Sequence, residues 1–154
     1  MKLTASITGH ERLQADLAQF GAAPRRALDL AAEEIETYIE GQVARHNKTG
    51  KLFASIYKRR VPDGWEIGND QQIARHALFV HWGTRPHVIR PKNKRALRWS
   101  AGGKFAFAKR VNHPGYKGDP WVVRAAALAP AAFDRHLQSL LSKEQGNAAA
   151  LSLR

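Results

Sequence analysis

The chain has 154 residues, 44% hydrophobic and 25% charged, a balance that suits one globular domain and excludes a disordered segment. It contains no cysteine, which removes disulfides, thiolate metal ligands and thiol nucleophiles together, and no run of ~18 apolar residues that could span a membrane. Twenty-five Lys and Arg against thirteen Asp and Glu leave +12, an excess that calls for a polyanionic or acidic partner.

Leu3 to Thr8 (LTASIT) alternates apolar and polar residues and is expected to form a short strand. The opening MKLTASITGHERLQ lacks the continuous apolar stretch of a secretory signal. A short helix is expected from His10 to Phe20, with Leu13, Leu17 and Phe20 on one face and Gly21 closing it. The clearest element follows, a helix over about 24–47. Leu28, Ala32, Ile35, Ile39 and Val43 recur at helical period, and Pro24 stands where a first turn tolerates proline. Glu33, Glu34, Glu36 and Glu40 precede Arg45, His46 and Lys48, as the helix dipole favours, and Asn47 and Gly50 are stop signals.

From Ser55 the period becomes two. Ile56 to Val61, the turn Pro62-Asp63-Gly64 and Trp65 to Gly68 read as a β-hairpin, with Gln71 to His76 as a link. Ala77 to Thr84 (ALFVHWGT) is expected as a third strand, Ala96 to Trp99 as a fourth and Lys104 to Val111 as a fifth after the turn Ala101-Gly102-Gly103. Between the third and fourth, RPHVIRPKNKR should protrude as a basic loop. Beyond His113-Pro114-Gly115, Asp119-Pro120 reads as N-cap and first turn of a final helix over 120–144. Its apolar face is Val122, Ala126, Phe133, Leu137 and Leu141, and Pro130 should kink or divide it. The tail over 145–154 is expected to be mobile. These elements predict a single α+β domain, its core at about 24–144. An antiparallel sheet of three to five strands packs against a long N-terminal helix and a C-terminal helix.

Charge is unevenly spread. From Ala77 to Gly118 there is no acid but ten cations: Arg85, Arg90, Lys92, Lys94, Arg95, Arg98, Lys104, Lys109, Arg110 and Lys117. His76, His81, His87 and His113 share that stretch, but a hard divalent cation wants carboxylates, and the positive field repels it. Ser55 and Ser100 lack a nucleophile-elbow setting, and Gly102-Gly103 is no phosphate-binding P-loop. Glu33 to Glu40 reads as a solvated helix face. No catalytic, cofactor-binding or metal-binding residue is nominated, and the chain is expected not to be an enzyme.

The basic stretch over 85–110 remains, flanked by Trp82 and Trp99 and followed by Phe105 and Phe107. Aromatics between cations suit single-stranded nucleic acid. The plainer expectation turns the aromatics into a sheet core and leaves the cations to meet some polyanion or acidic partner, with salt-sensitive contact.

Several segments recur in an order that resembles a known family: TGKLFASI at 49–56, FVHWGTRPHVIRPK at 79–92, ALRW at 96–99 with GGK at 102–104, and FAKRVNHPG at 107–115. They are similar to the neck and tail-completion proteins of long-tailed bacteriophages, the minor tail or head–tail joining components. Those proteins share TG-x-L-x-x-SI, V-E-x-GT, I-x-P-K, AL-x-W/F and HPG segments in this order. The likeness covers about residues 24–135, and His81 stands where that family commonly has an acid.

The resemblance implies a structural virion protein, assembled in the bacterial host cytoplasm and located at the head–tail junction. Its subunits would form a homo-oligomeric ring, a hexamer with a dodecamer as the other option. The ring would lie between a head-connector or stopper protein and a tail terminator or tail tube protein, with DNA passing through its channel and no membrane involved. The contact residues would be Arg85, His87, Arg90, Lys92, Lys94, Arg95, Arg98, Lys109 and Arg110.

Thr49, Gly50, Leu52, Gly83, Thr84, Pro91, His113, Pro114 and Gly115 would set shape. Gly50 lets the chain leave the long helix in a left-handed conformation, and Gly83-Thr84 ends a strand. Pro86 and Pro91 stiffen the loop, and His113-Pro114-Gly115 reverses the chain into the last helix. No long exposed apolar stripe is evident, so free subunits are expected to be monomeric until they meet a partner. The rival reading is a small basic nucleic-acid-binding module.

Overall fold

The computed structural model describes residues 3–8 and 22–152; the helix expected from His10 to Phe20 lies outside them. In chain order the elements are β1 (Leu3–Thr8), α1 (Ala23–Ala44), α2 (Lys51–Ala54), β2 (Ile56–Val61), β3 (Gly64–Asn69) and α3 (Ala77–Trp82). Then come β4 (Gly83–Thr84), β5 (His87–Ile89), β6 (Leu97–Ala101), β7 (Lys104–Ala108), β8 (Val111–His113), β9 (Tyr116–Lys117) and α4 (Trp121–Ser152). The class is α+β. The chain divides into two compact units: residues 1–78 with 120–154, and residues 79–119.

In the first unit β1, β3 and β2 form an antiparallel sheet with β3 in the centre. Asn69 at the end of β3 faces Leu3 on one side and Ile56 on the other. The long helices α1 and α4 pack along each other, and their buried faces are built largely of alanine: Ala27, Ala31 and Ala32 on α1, Ala125, Ala129 and Ala132 on α4. Small side chains at the crossing let two helices approach closely. Ile35, Ile39, Val43, Leu52, Ile67 and Trp121 supply the bulk. The expected apolar stripes are thus shifted. Ala32, Ile35, Ile39 and Val43 are buried as expected, whereas Leu28 is half-buried and Ala126 is exposed.

Four boundaries differ from expectation. Residues 77–82 are helical although Phe, Val and Trp favour strands. Ala77 and His81, four apart, are both buried, while Phe79 and Trp82 are exposed, so burial runs at helical period and overrides local preference. α4 begins at Trp121, with the Pro120 carbonyl accepting from Arg124 N–H at 3.1 Å, so Asp119 lies one residue before the cap. Pro130 neither divides α4 nor ends it. Its ring lies on the exposed side, and Ala126, whose carbonyl loses its donor, is open to water. Finally, the helix runs through 145–152, where a mobile tail is expected.

A polar network pins the core of the first unit. Trp121 Nε1–H donates to Asn69 Oδ1 at 3.0 Å, Asn69 Nδ2–H to Ser55 Oγ at 3.0 Å, and Ser55 Oγ–H to the Leu52 carbonyl at 2.6 Å. All four residues are buried, so each bond replaces one that water would make. Ser55 is therefore a structural hydroxyl. Around this core four acids are paired: Asp29 with Arg60 and Trp65 Nε1, Glu36 with Lys58, Glu66 with Arg59 and Tyr57, and Glu34 with Arg135 and His136.

The second unit has another logic. β4 pairs with β9, β5 with β8 and β6 with β7, all antiparallel and nested inside one another. Together they make one β-arm that leaves and returns through Gly83 and Lys117 and turns at Gly102-Gly103. Both turn glycines have positive φ, +57° and +80°, as a type I′ hairpin turn requires. The segment expected to be a free loop thus contains β5, and His113-Pro114-Gly115 joins β8 to β9 without leading into the last helix.

Candidate functional site

Backbone crowding at glycines defines the base of the β-arm. A Cβ on Gly83 would collide with the Tyr116 carbonyl and the Gly118 amide. One on Gly115 would lie 2.5 Å from the Thr84 carbonyl, and one on Gly118 would strike Gly83 and Trp82 backbone. Gly83 and Gly115 also have φ of +80° and +88°, which only glycine adopts readily. Three glycines therefore let two backbones touch. Gly83 and Gly115 are legible in the sequence; Gly118 is visible only once β4 is paired with β9.

Above this base His87 and His113 face each other across β5 and β8, their rings stacked with centroids 4.9 Å apart. His87 Nδ1 lies 2.8 Å from the Arg85 carbonyl and so carries a hydrogen; His113 Nδ1 accepts the Gly115 N–H at 3.1 Å and so carries none. Both rings are tied to backbone. Thr84 is half-buried in β4, Arg85 is exposed, and Pro114 sits exposed between β8 and β9.

The ladder then breaks asymmetrically. Between Ile89 and Leu97 one strand has seven residues, 90–96; between Ala108 and Val111 the other has two, 109–110. The surplus bulges outward, and it is the cationic run Arg90, Lys92, Lys94 and Arg95, with Pro91 half-buried at its root. An open cleft of about 750 Å³ forms there, lined among others by these four cations, Arg98 and Phe107. The structure brings those five expected contact residues together. Arg85, His87, Lys109 and Arg110 belong to the same arm but do not line the cleft.

The end of the arm carries aromatics on both faces. Cross-strand register places Arg98 opposite Phe107 and Ser100 opposite Phe105, so these four share one face; Trp99 lies on the other. The Arg98 guanidinium sits over the Phe105 ring at 4.4 Å. Phe105 and Phe107 are 62% and 66% exposed, and Trp99 is 42% exposed. Expectation turned these rings into a sheet core and saw no exposed apolar stripe. A two-stranded arm has no second layer to bury them.

Among the described residues none of the ten cations of the arm makes an ion pair, and the only acid in residues 79–119 is Asp119. The contrast with the paired first unit is sharp. There, burial, the hydrogen bond donated to Glu66 and that carboxylate's charge push the Tyr57 phenol up to about 12. The Arg59 guanidinium is raised by the same carboxylate.

The shape-setting residues of the first unit also have places. Gly50 adopts φ +79°, but as the N-cap of α2; α1 ends six residues earlier with Arg45 in a right-handed conformation. Thr49 is exposed, Asn47 Oδ1 accepts from Phe53 N–H at 3.3 Å, and Leu52 is buried. His81 and Trp82 meet edge to face with centroids 4.4 Å apart, His81 buried and Trp82 exposed.

Among the described residues no group of three or more His, Asp or Glu is placed to hold a metal ion, and no helix is long and apolar enough to cross a membrane. No protein-family model, curated protein or solved structure matches the chain.

Proposed function

We propose that this chain is a structural assembly subunit, a tail-completion or neck component of a long-tailed bacteriophage, and that the β-arm is its docking element. One observation carries the reading: a separate unit holds ten cations that make no ion pair among the described residues and exposes Trp99, Phe105 and Phe107 at its end, on a scaffold fixed by backbone contact at Gly83, Gly115 and Gly118. Such a surface is arranged to meet another molecule, because rigid loops lose little entropy on binding and exposed aromatics anchor interfaces. The order of the TGKLFASI, FVHWGT, VIRPK, ALRW and HPG segments supports the phage assignment.

On this reading subunits close into a ring by heterologous contacts at the head–tail junction, against a connector or stopper ring on one side and the tail on the other. The six-fold state is the expected one. The test is reconstitution: heads and tails prepared without this subunit should fail to join, and added purified chain should restore infectious particles. Particles that form equally well without it would overturn the assignment.

A further inference from the structure

We propose that the bulge of the β-arm is a binding site for single-stranded nucleic acid. Arg90, Lys92, Lys94 and Arg95 hold the phosphodiester backbone, and Phe105 and Phe107 receive unstacked bases. It stands on the geometry of the arm and not on the assembly role; the chain can bind an oligonucleotide and fail to join heads to tails, or the reverse.

Three features converge. The first is charge without compensation. The bulge presents four cations within six residues, each exposed and free of ion pairs among the described residues. Phosphates one nucleotide apart suit such a row, and neutralising them releases counterions. The second is the coincidence of charge with aromatic surface. Phe107 lines the same cleft as the bulge cations and lies opposite Arg98, whose guanidinium covers Phe105. Alternating rings and guanidinium planes on one face form a stacking platform that any base can use.

The third is access. Phe105 and Phe107 are each more than three-fifths exposed, and the cleft of about 750 Å³ is open to solvent. A duplex keeps its base faces stacked and hidden, so it would use the cations and leave the rings idle. An acidic polypeptide would satisfy the cations, but it has no flat rings at nucleotide spacing for Phe105 and Phe107 to stack upon.

The experiment is a fluorescence titration of the full-length chain with labelled oligo(dT), run over a series of salt concentrations beside a duplex of equal length and poly-glutamate. The site predicts tightest binding to the single strand, with log K falling against log salt at a slope of about −3 for four phosphate contacts. K92Q/K94Q/R95Q should flatten that slope by about 2. Phe105→Ala and Phe107→Ala should each weaken oligo(dT) about tenfold without changing the slope, since stacking is insensitive to salt. Both rings are exposed, so these variants should melt with the parent. No binding at low salt, equal affinity for duplex or poly-glutamate, or indifference to both Phe substitutions would overturn the proposal.

Discussion

Tyr57 shows how one side chain links burial to pH. Its phenol is pushed up to about 12 by burial and by Glu66, against an ordinary value near 10. A group whose folded pKa is raised stabilises the fold fully below its ordinary value and loses that contribution as pH climbs through the raised one. Stability should therefore fall between about pH 10 and 12, and denaturant midpoints of Tyr57→Phe should converge on those of the parent over that window. A gap that stays constant to pH 12 would show that Tyr57 is not linked.

The Trp121–Asn69 bond makes a second residue-level case. Trp121→Phe keeps an aromatic ring but strands a buried acceptor, at a cost of about 1–3 kcal/mol by urea melting. Gly83 makes a third. Its φ of +80° and the backbone a Cβ would strike mean that Gly83→Val should loosen the base of the arm. Amide exchange at the hydrogen-bonded amides of the β4–β9 pair should accelerate at least tenfold, whereas unchanged protection would mean the crossing tolerates a side chain.

At the level of elements, legibility followed how local the signal is. β1, the hairpin of β2 and β3, and α1 announce themselves through period and turn residues, and all three stand within a few positions of where the sequence puts them. α3 is hidden because its composition favours a strand while the burial that decides the matter, Ala77 with His81, is tertiary. The ladder of β5 and β8 is hidden for another reason: its two halves are separated by more than twenty residues, and Pro86 and Pro91 beside it signal a loop. The cations of the candidate site are plain in the sequence. Their concentration on one side of the arm is not, since it depends on seven residues opposing two. α4 offers its own test. Pro130 removes one helix bond on an exposed face, so Pro130→Ala should stabilise the chain by about 1–3 kcal/mol, read as a raised Tm. A lower Tm would mean that the proline shapes the packing of α4.

Across the whole molecule, two units divide the labour. In the first, alanine-faced helices and paired charges build the body; in the second, a glycine-crossed arm leaves Trp99, Phe105 and Phe107 exposed and its ten cations without ion pairs among the described residues. On the proposed function, stability resides in the first and recognition in the second. Changes on the arm should therefore alter assembly without unfolding the body. The measurement that bears on this most directly is complementation with K92E/K94E/R95E. The docking role predicts a variant that melts like the parent, with far-UV circular dichroism unchanged, yet yields separate heads and tails. Normal yields of joined particles from that folded variant would contradict it.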